Sequence, residues 1–140
     1  ICRSPLAEGI LQSKVDSNLI QVDSAGTAAY HVGELPDERS IAVAKKYGID
    51  LLNQRARKFT AKDFEDFDLI YAMDLSNYEN IISLASNKNE VSKVRLILNE
   101  INPNQNLEVP DPYYGGKDGF EHVYQLLDKA SQVIVSKINK

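Results

Sequence analysis

The sequence predicts an α/β fold in which helices cover both faces of a doubly wound parallel sheet, in three layers. Three observations carry this. Apolar, strand-like runs alternate along the chain with stretches of helical periodicity. No linker, repeat or low-complexity block breaks that alternation, so residues 1–140 are expected to form a single domain large enough for a proper core. The chain also opens directly on a helix start, whereas a doubly wound sheet normally opens on a strand feeding that helix. The intact sheet is therefore expected to have four parallel strands, the first of them missing from these residues. The opening at Ile1 instead of Met points the same way, toward a piece of a longer chain.

The elements follow in order. Ser4 reads as an N-cap and Pro5 as the first helical position of a helix to about Lys14, with Leu6, Ile10 and Leu11 inward. Ile20 to Asp23 reads as a strand that ends in the turn-prone Ser24-Ala25-Gly26-Thr27. Pro36-Asp37 opens a second helix, with Ile41, Ala44 and Tyr47 on one face and Gly48 as its stop. Thr60 and Asp63 have capping-box spacing and start a short helix. Leu69 to Met73 is a compact apolar run, the pattern of a buried strand. Asn77 to Leu84 reads as helix and Val94 to Leu98 as a third strand. The last helix has the clearest signal. Asp118 and Glu121 stand as N-cap and N3, and Phe120, Val123, Tyr124, Leu127, Ile134 and Ile138 follow at helical spacing.

Composition narrows the function. The net charge is −4 with no Lys/Arg-rich face, which argues against a nucleic-acid partner. No apolar run approaches a membrane span. A single cysteine, Cys2, cannot form an internal disulfide, and a reducing, cytoplasmic setting is the simplest expectation. One cysteine and two distant histidines, His31 and His122, do not make a tetrahedral metal site, so no metal is expected. His31 is expected on an exposed loop and His122 on the polar face of the last helix.

Cys2-Arg3-Ser4-Pro5 sits where the first helix begins. A helix N-terminus presents unpaired N–H groups and partial positive charge, so a loop entering it can hold a phosphate. Arg3 adds a planar fork that matches phosphate oxygens, and Ser4 can turn its hydroxyl into the loop. On these residues alone, a plain helix cap with a surface arginine and a buried cysteine is an equally good reading. Asp111-Pro112-Tyr113-Tyr114-Gly115-Gly116 is a second signal. An Asp on such a loop can act as a general acid, with two tyrosines as an aromatic wall. Taken alone, an ordinary Asp-Pro turn explains it better; taken with the first motif, it does not.

Together these motifs resemble the low-molecular-weight protein tyrosine phosphatases, over essentially the whole chain and in the right order. ICRSPLAE looks like the second half of that family's phosphate-binding loop. The resemblance implies a flavodoxin-like sandwich and a phosphocysteine mechanism without a metal or organic cofactor. It gives Arg3 the phosphate-binding role and Ser4 that of the hydroxyl stabilising the thiolate. Cys2 takes the place of the second loop cysteine, able to form a reversible disulfide with the nucleophile. The nucleophilic cysteine itself would lie upstream of Ile1, five residues before Arg3, so the 140 residues alone are expected to be inactive. Asp111 takes the place of the proton donor, and Tyr113 and Tyr114 line the substrate cleft. Tyr30 matches a cleft-rim position that tunes substrate choice. Ser24, in Asp23-Ser24-Ala25-Gly26-Thr27, would bond the phosphate loop. Arg39 would brace the site from Pro36-Asp37-Glu38-Arg39, and Asp74, in Met73-Asp74-Leu75-Ser76-Asn77, could pair with Arg39 beneath the cleft. Gln54 stands near a position where some animal members carry a histidine that braces the loop.

The partners implied are phosphotyrosine proteins, with inorganic phosphate as product, no nucleic acid and no membrane, for a monomer or weak dimer. Three other readings remain at this point. A protein arginine phosphatase shares the fold, but Ile1 and Tyr113-Tyr114 favour phosphotyrosine. An arsenate reductase of the same scaffold would need further cysteines, and none follows Cys2. A catalytically dead phosphoprotein-binding module would keep Arg3 but would have no need of Asp111.

Overall fold

The computed structural model describes residues 3–27, 32–112 and 116–138. The element order is α1 (Arg3–Lys14), α2 (Glu38–Lys46), α3 (Asp63–Asp66), β1 (Ile70–Ala72), α4 (Leu75–Ile82), α5 (Lys88–Ser92), β2 (Val94–Leu96), a 3-10 turn (Ile97–Glu100) and α6 (Gly116–Ile138). β1 and β2 pair in parallel, with Ile70 opposite Val94, Tyr71 opposite Arg95 and Ala72 opposite Leu96.

Local chemistry sets the helix ends. Asp37 caps α2 by accepting from the Arg39 amide at 2.8 Å. Gly48, at φ 79°, lets the chain leave α2 while the Ile49 amide closes back on the Ala44 carbonyl at 2.9 Å. Asp63 reaches back to the Thr60 amide at 2.9 Å, the acid half of the expected capping box. Asp74 caps α4 through the Asn77 amide at 2.8 Å, so the helix starts at Leu75, two residues earlier than the sequence reading began it.

Helices cover both faces of the strand pair. On one side, α1, α2 and α6 enclose Leu6, Ile10, Ala44, Met73, Val123, Leu127 and Ile134. On the other, α3, α4 and α5 close over Phe59, Phe64, Ala72, Ile81, Val94 and Leu96. α1 comes close to the chain after α2: a Cβ on Gly9 would lie 2.5 Å from Leu51 Cδ2, so that position has room only for hydrogen. Behind the sheet, the buried Glu100 accepts from Tyr71 Oη at 3.2 Å and from Lys137 Nζ at 2.6 Å, which ties the end of α6 to the 3-10 turn.

Several expectations need correcting. Residues 20–23 have no strand pairing, because an extended run becomes a strand only when a neighbour supplies its ladder. The facing strand, β1, lies across a cavity from them. The nearby pairing is instead a single parallel bridge between Gly26 and Lys58. The third predicted strand ends at Leu96, after which Ile97 and Leu98 bury themselves in the 3-10 turn. α5 was not expected; Asn87 starts it by accepting from the Glu90 amide at 2.9 Å. α1 begins at Arg3, so Ser4 lies inside its first turn and is not its cap. α6 begins at Gly116, ahead of Asp118, and its inward stripe ends before Ile138, which is exposed. Tyr47 is also exposed, stacked on Tyr124 with ring centroids 4.1 Å apart. Among the described residues, no helix is long and apolar enough to cross a membrane.

Candidate functional site

The first turn of α1, the end of β1 and the segment leading to Asp111 converge on one place. Arg3 Nη1 contacts Asp74 Oδ2 at 2.9 Å and donates to the Val109 carbonyl at 2.8 Å, and Nη2 reaches Asn77 Oδ1 at 3.5 Å. The Val109 amide in turn donates to the Met73 carbonyl at 2.9 Å. The backbone two residues before Asp111 is thereby fixed to both β1 and Arg3. Pro112, just beyond, is fully buried, while Asp111 is exposed. A cavity of about 760 Å³ opens here, with Arg3, Ser4, Ser24, Asp37, Arg55 and Asp111 among its polar walls.

Asp74 thus pairs with Arg3, and not with Arg39, the partner that the sequence allowed. Arg39 grips Asp37 with Nε on Oδ1 and Nη2 on Oδ2, both at 3.1 Å. Its guanidinium lies 4.7 Å over the Phe120 ring, bracing the start of α2 against α6.

Ser24 donates its hydroxyl to Glu8 Oε1 at 2.6 Å. Glu8 lies one helical turn beyond Ser4, and the sequence reading missed it. Its four-residue spacing from Ser4 was the available signal. Burial, with the negative Asp23 nearby, pushes the Glu8 carboxyl above its usual range, although its bonds with Ser24 pull it back. Arg57 bridges Asp23 at 3.1 Å and Asp63 at 3.0 Å, so charges alternate along this wall. Gln54 Nε2 donates to the Pro5 carbonyl at 3.1 Å, so this side chain does brace the opening of α1. Gln54 Oε1 is buried with no hydrogen-bond partner among the described residues.

Cys2, Tyr30, His31, Tyr113 and Tyr114 lie outside the described residues. The described candidates fall into one neighbourhood: Arg3, Ser4, Ser24 and Asp111 line the cavity, Asp74 holds Arg3, and Arg39 stands behind Asp37. His122 is exposed on α6, away from this group. Among the described residues, no group of three or more His, Cys, Asp or Glu could hold a metal ion. The chemistry on offer is that of an anion site with a carboxylic acid beside it.

Comparison with known proteins identifies the family. A family model described as low molecular weight phosphotyrosine protein phosphatase matches residues 1–140. The low molecular weight phosphotyrosine protein phosphatase of Schizosaccharomyces pombe is 41% identical over 97% of this chain and 90% of its own length. The crystal structure of YfkJ from Bacillus subtilis superposes with a TM-score of 0.89 at 34% identity, over 99% of this chain and 88% of that one. Vibrio vulnificus Wzb in complex with benzylphosphonate gives a TM-score of 0.86 at 33% identity, over 98% of this chain and 91% of that one. Those similarities, and a fold with helices on both faces of a parallel sheet, place the chain in one family: it belongs to the low molecular weight phosphotyrosine protein phosphatases.

Proposed function

We propose that this polypeptide supplies the phosphate-binding and proton-donating groups of an enzyme that hydrolyses phosphotyrosine in proteins. One observation carries the reading. Arg3, at the N-terminus of a twelve-residue helix, and Asp111 line one cavity, and the Val109 carbonyl links them.

In the first step a cysteine thiolate attacks phosphorus, and the bond to the tyrosyl oxygen breaks. That cysteine lies five residues before Arg3, ahead of Ile1, where the helix N-terminus lowers its pKa. Arg3 and the backbone N–H groups at the head of α1 hold the equatorial oxygens as charge spreads over them. Asp111 gives its proton to the departing phenolate, leaving a phosphocysteine. In the second step Asp111 takes a proton from water, the water oxygen attacks phosphorus, the thiolate leaves and phosphate is released. Asp74 keeps Arg3 oriented during both steps, and Ser4 donates to the thiolate. Tyr113, Tyr114 and Tyr30 supply the aromatic walls that favour a tyrosyl over an arginyl leaving group. The Vibrio vulnificus relative was solved with benzylphosphonate, a compound with a phosphonate on a benzyl group, which supports an aromatic phosphate-type ligand.

The test is hydrolysis of phosphotyrosine and phosphoarginine peptides by the intact protein, its upstream residues included. Activity on phosphotyrosine is expected, with Asp111→Asn lowering kcat about 10²- to 10⁴-fold. Activity confined to phosphoarginine, or an Asp111→Asn protein as fast as the parent, would overturn the reading.

A further inference from the structure

The cations that line the cavity are Arg3, Arg55 and Arg57. Two of them are matched to carboxylates: Arg3 to Asp74, and Arg57 to Asp23 and Asp63. The facing carboxylates are also held, Asp37 by Arg39 and Glu8 by the Ser24 hydroxyl. Arg55 differs from the other two cations. It is exposed, and among the described residues it forms no ion pair; its hydrogen bonds go to backbone carbonyls alone.

Its position is nevertheless fixed. Nη1 donates to the Leu52 and Gln54 carbonyls, each at 2.7 Å. The residues on either side are anchored too. Gln54 Nε2 reaches the Pro5 carbonyl at the head of α1, at 3.1 Å. Ala56 accepts from the Gly33 amide at 2.7 Å and donates to the Glu34 carbonyl at 2.8 Å. One nitrogen of the guanidinium therefore serves as an anchor, while Nε and Nη2 have no acceptor among the described residues. Exposed ion pairs are ordinarily weak partly because two long side chains must be held in one geometry, and here one of the two is already held. Arg55 also stands next in the chain to the residue that braces the head of α1, where the phosphate is proposed to bind. A peptide chain advances about 3.3–3.6 Å per residue, so residues within about three positions of a bound phosphotyrosine come within reach of this wall. The chain's net charge of −4 repels an acidic peptide at long range, so any preference for one has to come from a local cation.

We propose that Arg55 is a specificity-determining residue, whose Nε and Nη2 pair with the carboxylate of an Asp or Glu flanking the phosphotyrosine in the protein substrate. The planar N–H pair matches the two carboxylate oxygens. This role rests on the phosphotyrosine reading above and narrows its substrates to tyrosines in acidic surroundings. Arg55 touches neither the phosphorus nor the leaving oxygen, so its effect falls on KM and not on kcat.

The test uses the intact protein, its upstream residues included, and three peptides, acetyl-Ala-X-X-pTyr-X-X-Ala-amide with X as Glu, Gln or Lys. Flanking both sides makes the result independent of the direction in which the peptide crosses the site. At low salt the Glu peptide should have a kcat/KM about fivefold above that of the Gln peptide, through KM. The ratio should fall toward one in about 0.5 M NaCl. Arg55→Gln should abolish the ratio, and Arg55→Glu should put the Lys peptide ahead of the Glu peptide. A general loss of activity or stability lowers all three peptides alike and leaves the ratio unmoved. Equal kcat/KM for the Glu and Gln peptides in the parent, or a preference that survives Arg55→Gln, would overturn the proposal. Hydrolysis of p-nitrophenyl phosphate, which has no flanking residues, separates the two ways of failing. A protein that cleaves it and all three peptides equally is a phosphatase without this subsite; one that cleaves none of the four substrates sinks both readings.

Discussion

Arg3 Nη1 and Asp74 Oδ2 meet at 2.9 Å, joining the first turn of α1 to the N-cap of α4 across the end of β1. Asp74 thus has two duties on its two oxygens: Oδ1 accepts from the Asn77 amide and Oδ2 faces the guanidinium. The two duties can be separated. Asp74→Asn keeps the cap and removes the charge, whereas Asp74→Ala removes both. We expect Asp74→Ala to lose about 1–2 kcal/mol in urea denaturation through the cap. Asp74→Asn should lose less stability, yet raise the KM for a phosphotyrosine peptide by loosening Arg3. Equal effects of the two substitutions on both quantities would contradict this division.

The Glu8 carboxyl holds its proton more tightly in the folded chain than in the unfolded one, because burial disfavours its charge. Stability from this group is therefore fully present below its ordinary pKa of about 4.5 and is lost as pH rises through the folded value. Glu8→Gln retains an acceptor for Ser24 without the titration. The melting temperature of the variant relative to the parent should rise as pH climbs from 4 to about 7. A difference that stays flat across that range would remove Glu8 from the argument.

Tyr71 is pushed up to about 12, first by burial and then by the neighbouring Glu100 carboxylate. Its unfolded value is lower, so the phenol contributes stability that is present below about 10 and is lost as pH rises toward 12. In an ultraviolet titration of the folded chain, Tyr71→Phe should remove one phenol from the most alkaline part of the curve. The same substitution should cost about 1 kcal/mol at neutral pH, because Lys137 still satisfies Glu100.

Gly9→Ala pits two effects against each other. Alanine gains about 0.5–1 kcal/mol in a helix interior, but its Cβ would press on the fully buried Leu51. Overpacking of a tight core costs about 1–3 kcal/mol, so a net loss of stability is expected. A stabilised Gly9→Ala protein would mean that Leu51 moves aside freely.

What was legible in the sequence was local. Pro36-Asp37, the helical stretch from Asn77 and the compact run from Leu69 carry their signals within a few residues, and α2, α4 and β1 lie close to where those signals put them. Thr60 and Asp63 are three residues apart and find each other as a capping pair should. Residues 20–23 fail for the opposite reason: their strand character depends on a neighbour that no local pattern can supply. The site divides the same way. Arg3 and Asp111 stand out only when their two motifs are taken together, since each loop alone has an ordinary structural reading. The partnership of Arg3 with Asp74 spans 71 positions (74 less 3) and depends on how α1 crosses the end of β1. Glu8 was passed over because a glutamate on a helix is ordinarily a solvated residue, and only folding brings Ser24 onto it.

The double attachment of Val109 bears on how this chain can tolerate change in length. Its amide hangs from Met73 and its carbonyl receives Arg3, so the chain position of Asp111 is counted from a fixed peg only two residues away. Upstream, residues 102–107 form a surface excursion in which Asn104 and Asn106 adopt left-handed backbone and Asn106 is tied to Asn99. Extra residues there would be absorbed as slack and leave the acid in place. A single residue inserted between Val109 and Asp111 would swing the carboxyl off the cavity while leaving the peg, and so the rest of the molecule, intact.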